Sequence, residues 1–135
     1  AFYGGIAITC SGTTAVHALS YPLGGTYHVA HGESNQAMFA GVMQMYAKKA
    51  PHGKLEQLEA LLASILNVRA DVSVQALYTL MEDILPRKPL HQYGVKPEVL
   101  EVFTDNVLQT QQRLLGNNYV PLDRQEILEI YRSVY

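Results

Sequence analysis

Cysteine is almost absent from this chain, and the two signs of charge nearly cancel. Among 135 residues Cys10 stands alone, so no internal disulfide can form and a reducing compartment is expected. A formal net charge of -2 leaves no basic excess to neutralise phosphates, which argues against nucleic acid or an anionic membrane as a partner. Long apolar runs and a basic-then-apolar leader are also missing. We therefore predict a cytoplasmic protein without a membrane span.

Charge is scarcest in the first third of the chain. Between Ala1 and Ala47 the only formally charged side chain is Glu33. A segment this poor in charge cannot cover itself comfortably with water and usually lies inside a larger body. The chain also begins without Met, and we expect it to be part of a longer protein.

Strand-like alternation of apolar and polar residues is not found at any length, and the sequence predicts an all-α fold. From Lys54 onward, apolar residues recur every three or four positions, as in amphipathic helices. The first of these helices is expected to begin at Lys54, and the second to be capped by Asp71 or Ser73 and to stop at Pro86. A third is expected to begin near Pro97 and run to Gly116, and a capping box of Asp123 with Glu126 should open the last.

The first third also predicts helices, but with an interruption. Thr13 or Thr14 is expected to cap a short helix that ends near Pro22, because the residue before a proline avoids the helical region. The pair Gly24-Gly25 then predicts a turn. A second helix is expected to begin between His31 and Ser34.

Three of the five histidines, His17, His28 and His31, fall on either side of this predicted turn. A neutral imidazole presents a nitrogen lone pair to Fe or Zn. The spacing of His17 and His31 matches no compact ligand motif, and by itself it favours histidines that are hydrogen bonded in a core. A catalytic metal site takes three or four protein ligands, so two imidazoles would be an incomplete set.

A longer motif surrounds these histidines and changes their interpretation. Residues 14–35 read TAVHALSYPLGGTYHVAHGESN. This stretch resembles the signature of iron-containing (group III) alcohol dehydrogenases, in which a His, a Pro-Leu-Gly turn and a His-Gly pair followed by Asn occur in this order. The resemblance implies that His17 and His31 are ligands of a catalytic Fe2+ or Zn2+. It places the other two ligands, an Asp and a His on one helix, upstream of Ala1.

One departure from the motif indicates a subfamily. Many members carry a further His four residues after the first ligand, where this chain has Tyr21. The tyrosine at this position, together with the segments HALSYP, YHV and HGE, resembles the 4-hydroxybutyrate dehydrogenases. This resemblance implies interconversion of 4-hydroxybutyrate and succinate semialdehyde. Tyr21 lies one helical turn after His17, and its phenol is a candidate proton relay. His28 is a weak candidate for binding the substrate, and Arg87 and Lys88 are further candidate partners of its carboxylate.

The resemblance implies an NAD-dependent oxidoreductase of two domains, homo-oligomeric when intact. Residues 1–135 would form the C-terminal, all-α, dehydroquinate synthase-like domain that contributes to the metal site. No strand followed by a glycine-rich turn and a helix is predicted here, so we expect no cofactor-binding residues in this chain. NAD would bind to an N-terminal α/β domain that is absent from the chain, and the chain alone would be inactive. The alternatives are another iron or zinc alcohol dehydrogenase, a glycerol dehydrogenase, or a helical binding module with structural histidines.

Overall fold

Helices form all the regular structure in residues 2–135, the part of the chain that the computed structural model describes, and no strand occurs there. This confirms the predicted all-α fold. The helices are α1 (Phe2–Ser11), α2 (Ala15–Tyr27), α3 (His31–Lys49), α4 (Lys54–Leu66), α5 (Ala70–Ile84), a 3-10 helix (Leu90–Tyr93), α6 (Val99–Thr110), α7 (Gln112–Gly116) and α8 (Arg124–Ser133).

The core lies where α2, α3, α6 and α8 pack against one another. Leu19 and Leu23 of α2 are fully buried, as is Tyr131 of α8. The Tyr131 hydroxyl donates a hydrogen bond of 2.8 Å to the carbonyl of Leu19, so the one polar atom of this buried ring is satisfied. Helix α2 is therefore held on its inner face by both apolar contact and a hydrogen bond to α8.

A glycine permits the close crossing of α3 and α8. A Cβ atom at Gly41 would lie 2.9 Å from both Ser133 Oγ and Val134 Cγ1. These distances are shorter than carbon contacts in packed interiors, which lie at about 3.5–4.0 Å. Any larger residue at position 41 would push the two helices apart.

Helix α2 does not end at Pro22, and this corrects the sequence prediction. It continues to Tyr27, with Pro22, Gly24 and Gly25 inside it, so the expected glycine turn is not formed. Proline removes one intrahelical hydrogen bond, but burial of Pro22 and Leu23 in the core offsets that loss. The helix ends at His28, which takes the left-handed conformation that terminates many helices (φ 56°, ψ 29°).

Several predicted helix boundaries are correct. Helix α3 begins at His31, α4 begins at Lys54 and α5 ends before Pro86. At α8 the Asp123 carboxylate accepts a hydrogen bond from the Glu126 amide at 2.9 Å, and the Glu126 carboxylate accepts one from the Asp123 amide at 2.8 Å. The predicted capping box is therefore confirmed.

Two other boundaries and one cap differ from the sequence prediction. Helix α5 begins at Ala70, before either predicted cap, and Arg69 at its N-cap is paired with Asp71 at 2.8 Å. The helix near Pro97 is broken at Gln111 into α6 and α7. Thr14 occupies the N-cap position of α2 but its side chain makes no capping bond there. The amide of Ala15 instead donates to Oδ1 of Asn118 at 3.1 Å, so a residue 103 positions away caps this helix.

The outer helices leave apolar surface uncovered. Helix α1 has no buried residue, and Phe2 and Tyr3 are 76% and 84% exposed. Helices α4 and α5 contact mainly each other and expose Leu61, Ile65 and Ile84. Within residues 2–135 no single helix has the length and hydropathy to cross a membrane; only α4 and α5 taken together pass such a test, and they are bent by 67°.

Candidate metal centre

The structure brings His17 and His31 together. His17 lies in the first turn of α2, and His31 is the first residue of α3. The centroids of the two imidazole rings are 5.1 Å apart, and the ring planes are tilted by 52°. The pairing depends on the contact between α2 and α3, since the two residues are separated by most of α2 and a short loop.

The Nε2 atoms of both rings face one point. The side-chain amide nitrogen of Asn35 lies 3.0 Å from Nε2 of His31 and 3.4 Å from Nε2 of His17. The carbonyl oxygen of the same amide is 2.7 Å from the hydroxyl of Ser20, which is buried. Two ring nitrogens that converge in this way can bind one ion between them.

Tyr21, one helical turn after His17 in α2, lies beside His31. The two rings stack with centroids 6.3 Å apart and planes inclined by 29°. Tyr21 is 40% exposed, so its phenol is open to solvent. Together with His31, Ser20 and Gly24 it lines an open cavity of about 340 Å³, large enough for a small organic molecule.

The electrostatics of the pair favour neutral imidazole at His17. Burial lowers the pKa of His17 below its ordinary value, and the nearby His31 lowers it further because two positive rings repel each other. A metal binds the neutral ring, so a lowered pKa leaves the lone pair available over a wider range of pH.

The donor set matches a metal but does not complete its coordination. Imidazole nitrogen is an ordinary ligand for both Fe and Zn. Among residues 2–135, however, no group of three or more His, Cys, Asp or Glu side chains is placed to hold an ion. The described residues therefore offer two ligands where a catalytic site takes three or four.

Three residues considered for the substrate lie elsewhere. His28 is exposed at the end of α2 and is not among the residues that line the cavity. Lys88 Nζ is 3.2 Å from Oε1 of Glu33, and Arg87 Nε is 3.7 Å from Oε1 of Glu82. Both cations already have carboxylate partners, which weakens the prediction that they bind a substrate carboxylate.

A second polar cluster adjoins the first turn of α3. Oε1 of Glu33 accepts hydrogen bonds from Lys88 and, at 3.0 Å, from the hydroxyl of Tyr93. The bond from Lys88, followed by that from Tyr93, lowers the pKa of Glu33. Burial and the Glu33 carboxylate raise the pKa of Tyr93 to about 12. The cluster ties the segment after α5 to the start of α3, next to His31.

Sequence reasoning did not identify Ser20 and Asn35 as parts of the site. A signal was available, because Asn35 lies four residues after His31 and Ser20 three after His17, so each shares a helix face with one imidazole. That these two faces meet depends on the packing of α2 on α3, which the sequence pattern does not show.

Comparison with known proteins identifies the family. The C-terminal model of the Fe-containing alcohol dehydrogenase family matches residues 1–135, and the chain belongs to that family.

Two relatives illustrate the similarity within the family. The chain is 46% identical over 133 residues to the 4-hydroxybutyrate dehydrogenase of Clostridium kluyveri, a match that covers 98% of this chain and 36% of that protein. It is 31% identical to long-chain-alcohol dehydrogenase 1 of Geobacillus thermodenitrificans, covering 99% of this chain and 35% of the relative. The chain thus spans about a third of the length of these relatives.

Solved structures show the same fold. An archaeal halo-thermophilic alcohol dehydrogenase from a Red Sea brine pool superimposes with a TM-score of 0.87 and 24% identity, covering 98% of this chain and 35% of that one. A 1,3-propanediol oxidoreductase gives a TM-score of 0.72 with 24% identity, over 92% of this chain and 33% of that one. The helical arrangement is therefore that of the corresponding third of an alcohol dehydrogenase.

Proposed function

We propose that this chain supplies two of the ligands, His17 and His31, to the metal centre of an NAD-dependent alcohol dehydrogenase. The observation that carries the proposal is the convergence of both Nε2 atoms on one point beside an open cavity. Family membership supports it, because iron-containing members need a metal site and the described residues offer no larger donor group. Fe2+ and Zn2+ both suit imidazole, so either ion fits this half of the site.

We assign the remaining tasks at the site by geometry. When bound, the metal supplies Lewis-acid polarisation of an alcohol or aldehyde oxygen. Tyr21 stacks on His31 and lines the cavity, which supports a role in exchanging a proton between its phenol oxygen and the substrate oxygen. On this proposal the Tyr21 hydroxyl donates its proton to the substrate oxygen during aldehyde reduction and accepts it back during alcohol oxidation.

For the substrate we propose the pair 4-hydroxybutyrate and succinate semialdehyde. The support is the 46% identity to a 4-hydroxybutyrate dehydrogenase, against 31% to a long-chain-alcohol dehydrogenase. Lys88 and Arg87 have carboxylate partners of their own. His28 does not line the cavity, but it is exposed three residues before His31 and is kept as a weak candidate for a contact with the substrate carboxylate.

We further propose that NAD binds outside the described residues. Those residues contain no strand, and a dinucleotide site of the usual kind needs a strand, a glycine-rich turn and a helix in succession. On this proposal the chain is the helical part of a cytoplasmic, homo-oligomeric enzyme of two domains and is inactive by itself.

The test uses the full-length dehydrogenase that contains this chain. We expect His17→Ala and His31→Ala each to abolish the NAD-dependent oxidation of 4-hydroxybutyrate while NAD still binds, as followed by quenching of protein fluorescence. His52→Ala is the matched control, since the His52 side chain is exposed and pairs with Glu56 four residues on. Full activity in either site variant would refute the ligand assignment, and a preference for long-chain alcohols in the parent enzyme would refute the substrate.

A further inference from the structure

Asn35 occupies the point on which the two imidazoles converge. Its amide nitrogen is within 3.4 Å of both Nε2 atoms, and no other described side chain hydrogen bonds to either of them. Asn35 is part-buried at the fourth residue after His31 in α3. The amide of Asn35 therefore lies between the two imidazoles that would hold an ion.

The distances orient the amide. Its oxygen lies 2.7 Å from the Ser20 hydroxyl, which is the usual length for an O–H···O bond and the short extreme for N–H···O. The hydroxyl therefore donates to the Asn35 oxygen, and the amide nitrogen points at the imidazoles. Ser20 is 1% exposed, so this anchor is sheltered from water.

This orientation determines the tautomer of both histidines. An amide NH2 group has two hydrogens and no acceptor, so each Nε2 that it contacts must receive a hydrogen bond and carry no proton of its own. The ring proton of each neutral imidazole then resides on Nδ1. Both Nε2 lone pairs are directed at one position, in the protonation state that a metal requires.

We propose that Asn35, anchored by Ser20, is a positioning residue and a placeholder for the metal. In the metal-free chain its amide holds both imidazoles as Nδ1–H tautomers, and on metal binding it gives up the two Nε2 lone pairs to the ion. The release of the two lone pairs to a metal rests on the proposed function. The tautomers of the two histidines in the metal-free protein do not depend on it and are tested separately.

The opposite hydrogen-bond arrangement makes a different prediction. The Ser20 hydroxyl also lies 2.9 Å from the carbonyl of His17 and could donate there. The amide would then be turned round, its oxygen would accept from two Nε2–H groups, and both histidines would be in the other tautomer. The two arrangements place the ring protons on different nitrogens, and that difference is measurable.

The test is a long-range 1H–15N spectrum of the uniformly 15N-labelled, metal-free 135-residue chain, with His17 and His31 assigned. It is recorded near pH 8 so that the neutral imidazoles are observed. We expect unprotonated Nε2 and protonated Nδ1 in both residues. Protonated Nε2 on both would overturn the proposal.

A single substitution sharpens this measurement. Asn35→Asp keeps the shape and the acceptor for Ser20 but replaces the NH2 donor with a second acceptor, so we expect Nε2 of His31 to become protonated. Asn106→Asp, at an exposed position in α6, is the matched control and should leave both rings unchanged. Circular dichroism melts of each variant establish that the fold is retained. An Asn35→Asp spectrum identical to that of the parent chain, with Nε2 still unprotonated, would contradict the positioning role.

A zinc titration of the parent chain tests the exchange of lone pairs. We expect Zn2+ to shift both Nε2 resonances and, in the same steps, to move the Asn35 amide resonance away from its hydrogen-bonded position. If both imidazoles shift and Asn35 does not, the placeholder role is refuted and the proposed function stands. If neither imidazole shifts at any Zn2+ concentration, both the proposed metal-ligand function and the release of the lone pairs to the metal are refuted. The positioning role of Asn35 is then decided by the tautomers measured in the metal-free chain.

Discussion

At the scale of single residues, the candidate site consists of two imidazoles, the amide between them and a phenol beside them. Each histidine alone has an ordinary structural interpretation, since polar rings near a core are commonly hydrogen bonded. The interpretation of the two histidines as metal ligands depends on geometry, because His17 and His31 both direct Nε2 at the amide of Asn35. That arrangement would offer two nitrogen donors to one ion.

Tyr21 allows a direct test of the proton-relay role. In the full-length dehydrogenase, Tyr21→Phe removes only the hydroxyl and keeps the ring stacked on His31. We expect aldehyde reduction to slow by about 10²-fold, a typical contribution of a positioned proton donor, with the metal content unchanged. The measurement is kcat for succinate semialdehyde across pH together with metal analysis. An unchanged rate and pH profile would limit Tyr21 to packing.

The family motif was sufficient to predict which residues form the pair, but not how they are supported. His17, His31 and Tyr21 stand in a recognisable order, and the structure brings all three to one place. Ser20 and Asn35 could not be selected from sequence periodicity, because their contact crosses between two helices. The Glu33 partner of Lys88 was missed for the same reason, because Glu33 lies on α3.

At the scale of helices, α2 is the element whose course differs most from the prediction. Local rules for Pro22 and for Gly24-Gly25 favour a stop and a turn, yet the helix continues through all of them. Burial of the surrounding apolar residues against α3 outweighs the local preference. Propensity rules describe an isolated segment, and α2 is stabilised by packing.

Two glycine substitutions test this helix packing with opposite signs. Gly25 lies within α2, and a Cβ atom added there would meet nothing within 4 Å, so Gly25→Ala should raise the free energy of unfolding by about 0.5–1 kcal/mol. Gly41→Ala should lower it by about 1–2 kcal/mol, because its Cβ would meet α8. Urea denaturation gives both values. Destabilisation by Gly25→Ala would contradict a continuous α2 and restore the predicted turn.

The start of α2 depends on a residue from the far end of the chain. Oδ1 of Asn118 accepts from the amide of Ala15 and from the hydroxyl of Tyr46. Asn118→Ala should therefore cost about 2 kcal/mol of stability, combining the lost cap of α2 with a lost hydrogen bond to the largely buried Tyr46 hydroxyl. Asn118→Asp keeps the acceptor but loses the hydrogen bond from Nδ2 to the carbonyl of Val120, so it should destabilise by less than Asn118→Ala in the same urea experiment. Equal losses in the two variants would show that the cap contributes little.

At the scale of the whole molecule, the chain corresponds to one part of its longer relatives and leaves apolar surface exposed. It spans about a third of the length of its relatives, and α1 exposes Phe2 and Tyr3 almost fully. The low charge of the first third predicted such uncovered apolar surface, since only burial in a larger body would make it favourable. The all-α class was predictable from the three- and four-residue spacing of apolar positions. The packing of the helices into one core was not, because it depends on long-range contacts.

The same incompleteness applies to the chemistry. Two ligands bind a divalent ion much more weakly than three or four, and no third donor group accompanies the pair among the described residues. The isolated chain should therefore bind Fe2+ or Zn2+ weakly, even though its two imidazoles are well placed. Catalysis, on this account, belongs to the assembled enzyme.

The most direct measurement is calorimetric titration of the 135-residue chain with Zn2+, compared with three single variants. We expect one weak site, with affinity reduced at least about tenfold by His17→Ala and by His31→Ala and unchanged by His52→Ala. The last variant matters because the exposed pair of His52 and Glu56 is an alternative two-donor site. Zn2+ affinity that depends on His52 and survives the loss of His17 and His31 would contradict the assignment of these two histidines as metal ligands. Tight binding of Zn2+ by the chain alone would contradict the conclusion that its metal site is incomplete.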